Sequence, residues 1–576
     1  MPVLDRDDVP RMRTVAGVLR AGILVTLVAA GLIPLAAPLT RPGFLLGHDG
    51  RIHPWYAFIF DRAFTQGQVP VRWVEGMTSG LGQPLFNYYQ VGFYYLVSLV
   101  HQTGPALSTS YTSVIVASWA LGACFMFLLC LPLGAVAAAG AASVYLWSPY
   151  LLLDAYVRSA YPEFVAIAFV PGLLWTLDRT LRTGATWSIA GTALFTALLL
   201  ICHLPTALIM SGVIAVVMLS TAASGGTSAS RVGLVLLAGL LGAGLASFYV
   251  VPALVERDAV NMHRMTTGAF DYHRHFVNPA WWFDWSWGYG GSGTGEANQM
   301  SMQIGVAQWV VIAAATVAPL LPAWRRRAAV PWHVPVALLL ALAGAMFMMT
   351  ASSAVVWERV TPLAFLQFPW RLLMVPTVIC AVLTAVVLSA LDRSAAAFAV
   401  VMLLVAGQWW LTTPYREMAL ARQRELMAID DPQWVPEPRL AFHEPAYDPV
   451  SVTAPARPQQ ARASALPADS AEVVVDEATD ARLVVSVRAA RPTSLTIGTP
   501  SFPGWQVLVN DRPSRPGLAP GTGYMVVPLP AGAHHIRVQL TRTWSRLAGE
   551  VTSLLSGLVV LALAGRAISR RHLAPD

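Results

Sequence analysis

The feature that most constrains this chain is a series of apolar runs, each about as long as a bilayer is thick. They begin at 21–39 and end at 551–567. A transmembrane helix needs about 20 predominantly apolar residues. The chain is 56% hydrophobic and 12% charged, whereas soluble domains carry roughly twice that charged fraction. We therefore predict an α-helical polytopic membrane protein.

The runs predict about twelve transmembrane helices. A short Tyr-rich stretch, 88–101, is better suited to an interfacial or re-entrant helix than to a span. The predicted spans are 21–39, 113–129, 132–147, 164–177, 187–201, 206–222, 232–251, 304–321, 334–350, 372–391, 395–411 and 551–567.

The basic residues predict the orientation, because short loops rich in Arg stay in the cytoplasm. Segments 178–182, 325–327 and 566–571 would all be cytoplasmic, and so would both termini. We expect a multi-pass protein of a bacterial inner (plasma) membrane. The predicted outer segments are then the loops 41–101, 150–163, 252–303 and 351–371, together with the turn at His203.

The segment 412–550 lacks long apolar runs and is predicted to be exported as a linker followed by a small antiparallel β domain. Apolar and polar residues alternate at 471–475, 483–487, 506–509 and 535–540, which is typical of half-buried strands. The Pro/Ala-rich stretch 455–469 reads as linker. The predicted domains are thus 1–411, transmembrane; 412–550, exported; and 551–576, a final helix with a cytoplasmic tail.

The basic residues also exclude several functions. The net charge is +7 and the sequence contains no lysine. The arginines lie mostly between apolar runs, where membrane orientation explains them, so we predict no nucleic-acid partner. Without lysine there is neither a Walker A motif nor a Schiff base, which argues against an ATP-driven pump.

The first outer loop holds a candidate catalytic carboxylate. The segment 47–53 (GHDGRIH) follows the first span and contains Asp49. Such a carboxylate can deprotonate an acceptor hydroxyl or hold a divalent cation, Mg²⁺ or Mn²⁺. A solvated loop aspartate is the alternative interpretation. Its neighbours His48, Arg51 and His53 are predicted to support the site.

Other ionisable residues lie at the predicted outer ends of spans, where burial is costly and function is a common reason. Arg158 and Arg371 are candidates to bind a phosphate, with headgroup anchoring as the alternative for Arg371. Glu163, His203 and Glu256 are predicted to support the site. Their alternatives are a favourable residue at a helix N-terminus, a turn histidine and an interfacial ion pair.

Aromatic residues cluster at 281–287 in the loop 252–303. Trp282 and Trp285 are candidates to stack against a sugar ring of the donor or acceptor. Tryptophans are also frequent in ordinary interfacial belts, and that interpretation stays open.

Several of these segments resemble known families. The first loop and the segments 154–163 (DAYVRSAYPE), 203–206 (HLPT) and 365–371 (FLQFPWR) resemble bacterial membrane proteins labelled 6-pyruvoyl-tetrahydropterin synthase-related. The segments 433–436 (QWVP), 501–510 (SFPGWQVLVN) and 530–534 (PAGAH) resemble the β domain of the YfhO-like family. Both families resemble the C-type glycosyltransferase (GT-C) fold.

The resemblance implies a membrane glycosyltransferase. Such enzymes move a sugar from a polyprenyl-phosphate carrier to a glycan, lipid or protein acceptor at the outer face. Asp49 matches the acidic residue of the first outer loop, as acceptor-activating base or metal ligand. Arg158 and Arg371 would then hold the donor phosphate. The rival functions are a transporter or flippase of lipid-linked sugars and a non-catalytic scaffold of envelope assembly.

Overall fold

The computed structural model describes residues 15–77, 82–223, 227–294, 298–327, 329–390 and 461–572. Between 391 and 460 it describes only 403, 407, 424–425, 428–431 and 444–453. The predicted span 395–411, apart from 403 and 407, and the segment 433–436 lie outside the described residues.

The N-terminal two thirds of the described chain is helical. Its longer helices are α1 (Val15–Ala36), α2 (Ile52–Thr65), α4 (Gly92–His101), α5 (Leu107–Cys130), α6 (Ala135–Leu146), α8 (Tyr161–Thr183), α9 (Thr186–Cys202), α10 (Leu204–Ala223), α11 (Ala229–Leu245), α12 (Ser247–Val255), α13 (Val306–Val317), α15 (His333–Met349) and α17 (Met374–Ser389). The shorter ones are α3 (Leu85–Tyr88), α7 (Pro149–Leu152), α14 (Pro322–Arg327) and α16 (Ala354–Arg359), and α18 (Trp544–His572) ends the described chain.

Many of these helices are apolar enough to cross a membrane. Four described helices are also long enough, and three bent pairs bring the number to as many as seven. Shorter apolar helices occupy Gly22–Ala36, Thr186–Cys202, Leu204–Ser220 and Val306–Leu320. The helices fall on the predicted apolar runs, but the total of about twelve spans stays a prediction.

Successive helices run back and forth between two ends of the bundle. Helix α8 has 23 residues, which corresponds to about 35 Å. It ends at Gly184 in a left-handed conformation (φ +59°), a common helix stop. Helix α9 returns to the starting end, where the turn at His203 leads into α10. Glu163 and His203 therefore share one end of the bundle, and Arg182 lies at the other.

The Tyr-rich stretch forms α4, which has ten residues. That corresponds to about 15 Å, half of the hydrocarbon thickness. The helix packs against α2, α5, α8 and α9. Its length fits an interfacial position rather than a crossing.

The C-terminal part of the described chain contains two antiparallel sheets. One has the order β3-β6-β10-β9 and the other β4-β5-β11-β7-β8. Their inward side chains form a common apolar core. The strands are β3 (Ala463–Leu466), β4 (Ala471–Thr479), β5 (Arg482–Ala489), β6 (Thr493–Pro500), β7 (Trp505–Val509), β8 (Arg512–Ser514), β9 (Gly517–Leu518), β10 (Tyr524–Leu529) and β11 (Gly532–Leu540), while β1 (Phe44–Leu45) pairs with β2 (Arg424–Glu425) outside these sheets.

The alternating segments of the sequence fall in β4, β5, β7 and β11, as their period predicts. One correction concerns the stretch 455–469, predicted as linker. Its residues 463–466 form strand β3, which pairs with β6. Alanine and serine have little intrinsic strand preference, so this strand depends on its partner rather than on a local signal.

The sheets are packed against the helical part. Asp480, at the turn between β4 and β5, is buried and pairs with Arg62 of α2 at 3.0 Å. Trp73 and Trp505 meet edge to face, with ring centroids 5.3 Å apart. These contacts place the β domain against the segment that follows α1.

The buried Arg546, at the start of α18, links this helix to the end of α12 and to the β domain. Arg546 of α18 pairs with Glu256 at 2.8 Å and donates to the Pro503 carbonyl at 2.8 Å. Gly504 has φ +97°, and a Cβ there would lie 2.5 Å from Arg546 Nη1. The Pro-Gly-Trp motif thus leaves room for this arginine.

Candidate functional site

One cavity of about 860 Å³ receives residues from segments that are far apart in the sequence. Asp49, Arg158, His203 and Arg371 all line it, and so do His48, His53 and Glu163. The volume is in the range of small-molecule sites. Four predicted outer segments therefore meet at one end of the helical bundle.

The backbone fixes Asp49 beside Arg158. The Asp49 N–H donates to the Arg158 carbonyl at 2.9 Å, and the His48 N–H donates to the Val157 carbonyl at 2.9 Å. Gly47 packs so closely here that a Cβ would lie 2.9 Å from the Val157 carbonyl oxygen and even closer to Ser159. The glycine next to the aspartate is what permits this backbone pairing.

Arg158 stands at the end of an irregular helical turn. Leu153–Arg158 is π-helical and stops at Ser159, which has φ +55°. Single π-helical turns are frequent at functional sites, and a non-glycine residue at positive φ is uncommon. The widened turn leaves the Arg158 side chain and the Arg158 carbonyl both next to the cavity.

The two arginines and Glu163 form a buried charge network. Glu163 Oε2 lies 2.9 Å from Arg158 Nη2 and 3.3 Å from Arg371 Nε. Asp154 also pairs with Arg158, and Tyr150 donates to Glu163 Oε1 at 2.5 Å. Two guanidinium groups thus face two carboxyl groups, and such pairing is the usual condition for burying ionisable side chains.

Arg371 lines the cavity, and its guanidinium group has hydrogen-bond donors that the described residues do not use. Its Nη1 donates to the Leu366 carbonyl at 2.7 Å and to Gln367 Oε1 at 3.1 Å. Within the described part of the chain, its Nη2 makes no hydrogen bond. Gln367 has φ +63° and ψ −44°, a strained conformation of the kind that concentrates at functional sites.

Aromatic rings cover the other faces of these guanidinium groups. Arg158 lies 4.5 Å from the Trp370 ring centroid and Arg371 lies 4.9 Å from the Phe368 ring centroid. Cation–π contact stabilises a buried cation and restricts its orientation. The FLQFPWR segment thus supplies both an arginine and the rings that orient two arginines.

Two of the histidines that line the cavity, His203 and His53, are hydrogen-bonded within the protein. His203 Nδ1 accepts from the Thr206 N–H at 3.3 Å, so a neutral ring carries its proton on Nε2, 3.8 Å from Glu163. His53 Nδ1 lies 2.7 Å from the Tyr94 hydroxyl. Burial, assisted by Arg158, lowers the pKa of His53 to about 3, so this ring is neutral.

Asp49 is the carboxylate of the site with the least protein pairing. Its Oδ2 lies 4.0 Å from Nε2 of His53, and its side chain is 39% exposed. Burial raises the pKa of Asp49 from 3.8 to about 6, although Arg158 and Arg371 lower it and Glu163 raises it further. A carboxylate with this pKa is well matched to general-base catalysis near neutral pH.

The residues around Asp49 do not fit a divalent cation. Among the described residues there is no group of three or more His, Cys, Asp or Glu placed to hold a metal. Glu163, a carboxylate that shares the cavity with Asp49, is already paired with Arg158 and Arg371. Two arginines also oppose a dication electrostatically, so no step of the chemistry is assigned to a metal.

Four predicted site residues do not line the cavity. Glu256 faces the interior between α12 and α18, where burial alone would raise its pKa but Arg546 holds that pKa below its usual value. Arg51 is exposed but is not part of the cavity wall. Trp282 is buried beneath the loop, with its carbonyl bonded to Trp309, and Trp285 is 39% exposed elsewhere. Sequence neighbourhood does not specify side-chain direction in such loops.

The sequence did not predict several residues that do line the cavity. Glu444 and Tyr447 come from the segment before the β domain, and Tyr89 precedes α4. His275 and Ser292 form a hydrogen-bonded pair at 2.9 Å. An isolated acid or tyrosine in a long polar segment carries no local pattern, so sequence alone gave no signal for them.

The rest of the cavity wall is apolar. Leu208 of α10, Leu254 of α12 and Phe365 line it and are also 37%, 62% and 51% exposed. Exposed apolar side chains on membrane helices are suited to contact with lipid chains. The site thus combines a charged end with an apolar flank.

Comparison with known proteins identifies the family. No curated relative matches the chain. Among solved structures it is similar to the arabinofuranosyltransferase AftD from Mycobacteria, determined by single-particle cryo-EM, with 16% identity and a TM-score of 0.42. That similarity covers 68% of this chain and 27% of AftD, so the chain spans just over a quarter of that protein.

A family profile described as "6-pyruvoyl-tetrahydropterin synthase related domain; membrane protein" matches residues 86–413. The matched region contains three of the four segments that suggested this family, and it confirms that resemblance. Because the match covers more than half of the chain, this protein belongs to the 6-pyruvoyl-tetrahydropterin synthase-related family of membrane proteins.

Proposed function

We propose that the protein is a membrane glycosyltransferase with a GT-C-like helical domain. It moves a sugar from a polyprenyl-phosphate carrier in the lipid to a glycan, lipid or protein acceptor of the cell envelope. The observation that carries this proposal is the Asp49 carboxylate, with its pKa of about 6, in one cavity with Arg371 and an apolar flank. A base, a phosphate-binding cation and a lipid-compatible wall are the parts this reaction needs.

The reaction follows from these parts. Asp49 takes the proton of the acceptor hydroxyl, whose oxygen forms a bond to the anomeric carbon of the sugar. The bond from that carbon to the phosphate oxygen breaks, and the lipid phosphate leaves with the bonding electrons. Arg371 stabilises the negative charge that develops on the leaving phosphate.

Arg158 has a more indirect role in this proposal than the sequence alone suggested. Its guanidinium group already meets Asp154, Glu163 and Tyr150. It therefore orients Glu163, and through it Arg371, while its positive charge still acts on a phosphate in the cavity. Arg257, which lines the cavity and is 65% exposed, supplies a further cation for the phosphate.

The orientation of the bundle supports an outer active site. Arg182, Arg231, Arg325 and Arg566 stand near the ends of helices that face away from the cavity, as the back-and-forth course of the chain requires. Positive residues favour the cytoplasm. The cavity then faces outward, where the acceptors of the envelope are.

The test is transfer of radiolabelled sugar from a polyprenyl-phosphoryl donor by membranes that contain the full-length protein. Wild-type membranes are expected to transfer the label, and membranes with Asp49→Asn are not. The control is Asp469→Asn, because Asp469 is 75% exposed and does not line the cavity. Equal transfer by all three proteins would refute the role of Asp49, and no transfer above that of membranes without the protein would favour the scaffold or flippase.

A further inference from the structure

The chain segment that precedes the β domain forms part of the cavity wall. Glu444 and Tyr447 of this segment line the cavity. Val260 forms a β-bridge with Pro449, and the Val450 N–H donates to the Ala259 carbonyl at 3.0 Å. The segment is thus attached to the loop that follows α12, rather than passing over the site as a loose linker.

A buried glutamine fixes the position of Glu444. Gln83 is fully buried, and its Nε2 donates to the Glu444 carbonyl at 2.8 Å and to Asp448 Oδ1 at 2.9 Å. Tyr447 stacks on Tyr88 with ring planes 3° apart. Buried hydrogen bonds of this kind specify one conformation, so the direction of the Glu444 side chain is determined by the surrounding fold.

The Glu444 carboxylate is oriented into a group of tyrosines. Tyr56, which is buried in α2, donates its hydroxyl hydrogen to Glu444 Oε1 at 3.0 Å. Burial, together with Asp49 and then Glu444, raises the pKa of Tyr89 well above its usual value. Tyr89 lines the cavity, and both carboxylates, Asp49 and Glu444, lie close enough to raise its pKa.

We propose that Glu444 binds hydroxyl groups of the transferred sugar and helps to determine which sugar is accepted. This inference rests on the proposed function of the same cavity. A carboxylate repels a phosphate but is a strong acceptor for sugar hydroxyls, since such hydrogen bonds are charge-assisted. The ring of Tyr89, which lines the cavity and is only partly buried, is available to stack on the apolar face of the sugar. Arg371 binds the phosphate of the donor, whereas Glu444 binds its sugar.

The test measures equilibrium binding to the detergent-solubilised full-length protein by its tryptophan fluorescence. The probes are farnesyl phosphate and a panel of farnesyl-phosphoryl hexoses and pentoses. The variants are Glu444→Gln, which keeps the shape but removes the charge, and Tyr56→Phe, which releases the carboxylate but leaves its charge. Glu358→Gln is the control, because Glu358 is 58% exposed and does not line the cavity.

We expect Glu444→Gln to weaken binding of the preferred glycosylated probe about 10- to 100-fold, the value of one hydrogen bond to a charged group. Its affinity for farnesyl phosphate should stay the same or rise, because the substitution removes a negative charge that repels the phosphate. Tyr56→Phe should give a smaller loss of the same kind, and Glu358→Gln none. A change in the order of preference among the sugars would support the proposal further.

Two results would overturn the inference while leaving the proposed function intact. Glu444→Gln and Tyr56→Phe could bind every probe as the wild type does, or they could lose farnesyl phosphate and glycosylated probes equally, which indicates a purely structural role. If the wild type itself bound no glycosylated probe better than farnesyl phosphate, the proposed function would fail, and the inference with it.

Discussion

Replacing Asp49 by Asn should remove activity without weakening the fold. Asparagine keeps the size of the side chain and removes its charge. Loss of a positioned general base typically lowers the rate by about 100- to 10,000-fold. We expect transfer to fall by at least about 100-fold while the amount of protein in the membrane stays normal.

The effect on stability follows from the pKa of Asp49. Burial raises this pKa from 3.8 to about 6, so the folded protein binds the proton more tightly than the unfolded chain does. The ionised form therefore destabilises the fold at pH 8, and the cost disappears as the pH falls toward 4. The difference corresponds to about 3 kcal/mol for a fully buried group. Because the side chain is 39% exposed, solvent screening reduces it to about 1 kcal/mol.

Two assays test this reasoning. Thermal unfolding of the purified protein should show Asp49→Asn to be slightly more stable than the wild type at pH 8 and equal to it near pH 4. Transfer by the wild type should fall as the pH drops through 6, to about one tenth at pH 5 because most Asp49 is then protonated. Normal transfer by Asp49→Asn, or a variant that is clearly less stable at pH 8, would refute the assignment.

The remaining predictions concern the arginine network and the topology. Arg371→Lys should lower transfer at least about 10-fold, since lysine keeps the charge but loses the fork; the exposed Arg264, changed to Lys, is the control, and full activity of Arg371→Lys would contradict the phosphate role. Glu163→Gln should lower the free energy of unfolding by about 3–5 kcal/mol, because two buried arginines lose their counter-charge; a thermal unfolding midpoint like that of the wild type would contradict this. Reporter fusions should place 412–550 outside and 325–327 in the cytoplasm, and a common side for both would exclude the predicted orientation.

The helices were predictable because their signal is local. An apolar run of membrane length specifies a helix wherever it occurs, and strands β4, β5, β7 and β11 followed from their alternation. The convergence of Asp49, Arg158, His203 and Arg371 could also be predicted, since each lies at the predicted outer end of a span. The prediction required only the assumption that these residues share a function.

The remainder of the site depends on long-range contacts that leave no local pattern. Glu256 resembled a site residue because it follows a span, yet its partner is Arg546, 290 residues away. Glu444 lies next to Tyr56 across 388 residues. Trp282 and Trp285 were predicted to bind sugar from their residue type alone. The rings that line the cavity instead belong to Phe270, Phe365, Phe368, Trp370 and several tyrosines.

Deleting the segment 412–550 is a poor way to distinguish an enzyme from a scaffold. Such a deletion removes Glu444 and Tyr447 from the cavity wall together with the β domain. It would also leave Gln83 and Arg62 without their partners. A loss of function would then be expected under either hypothesis, and only substitutions such as Asp49→Asn separate them.

The attachment of the segment at Glu444 also affects how the protein matures in the cell. Tyr56 leaves the ribosome 388 residues before its partner Glu444. At translation rates of 5–20 residues per second, this interval is roughly 20 to 80 s. Until Glu444 is made, the polar wall around Gln83 and Tyr56 has no counterpart, although Asp49 and, late in the interval, Arg371 have already been synthesised. The cavity wall is complete only after Glu444 and Tyr447 have been synthesised and have packed against it. A nascent or truncated protein is therefore present in the membrane before it can act on a substrate.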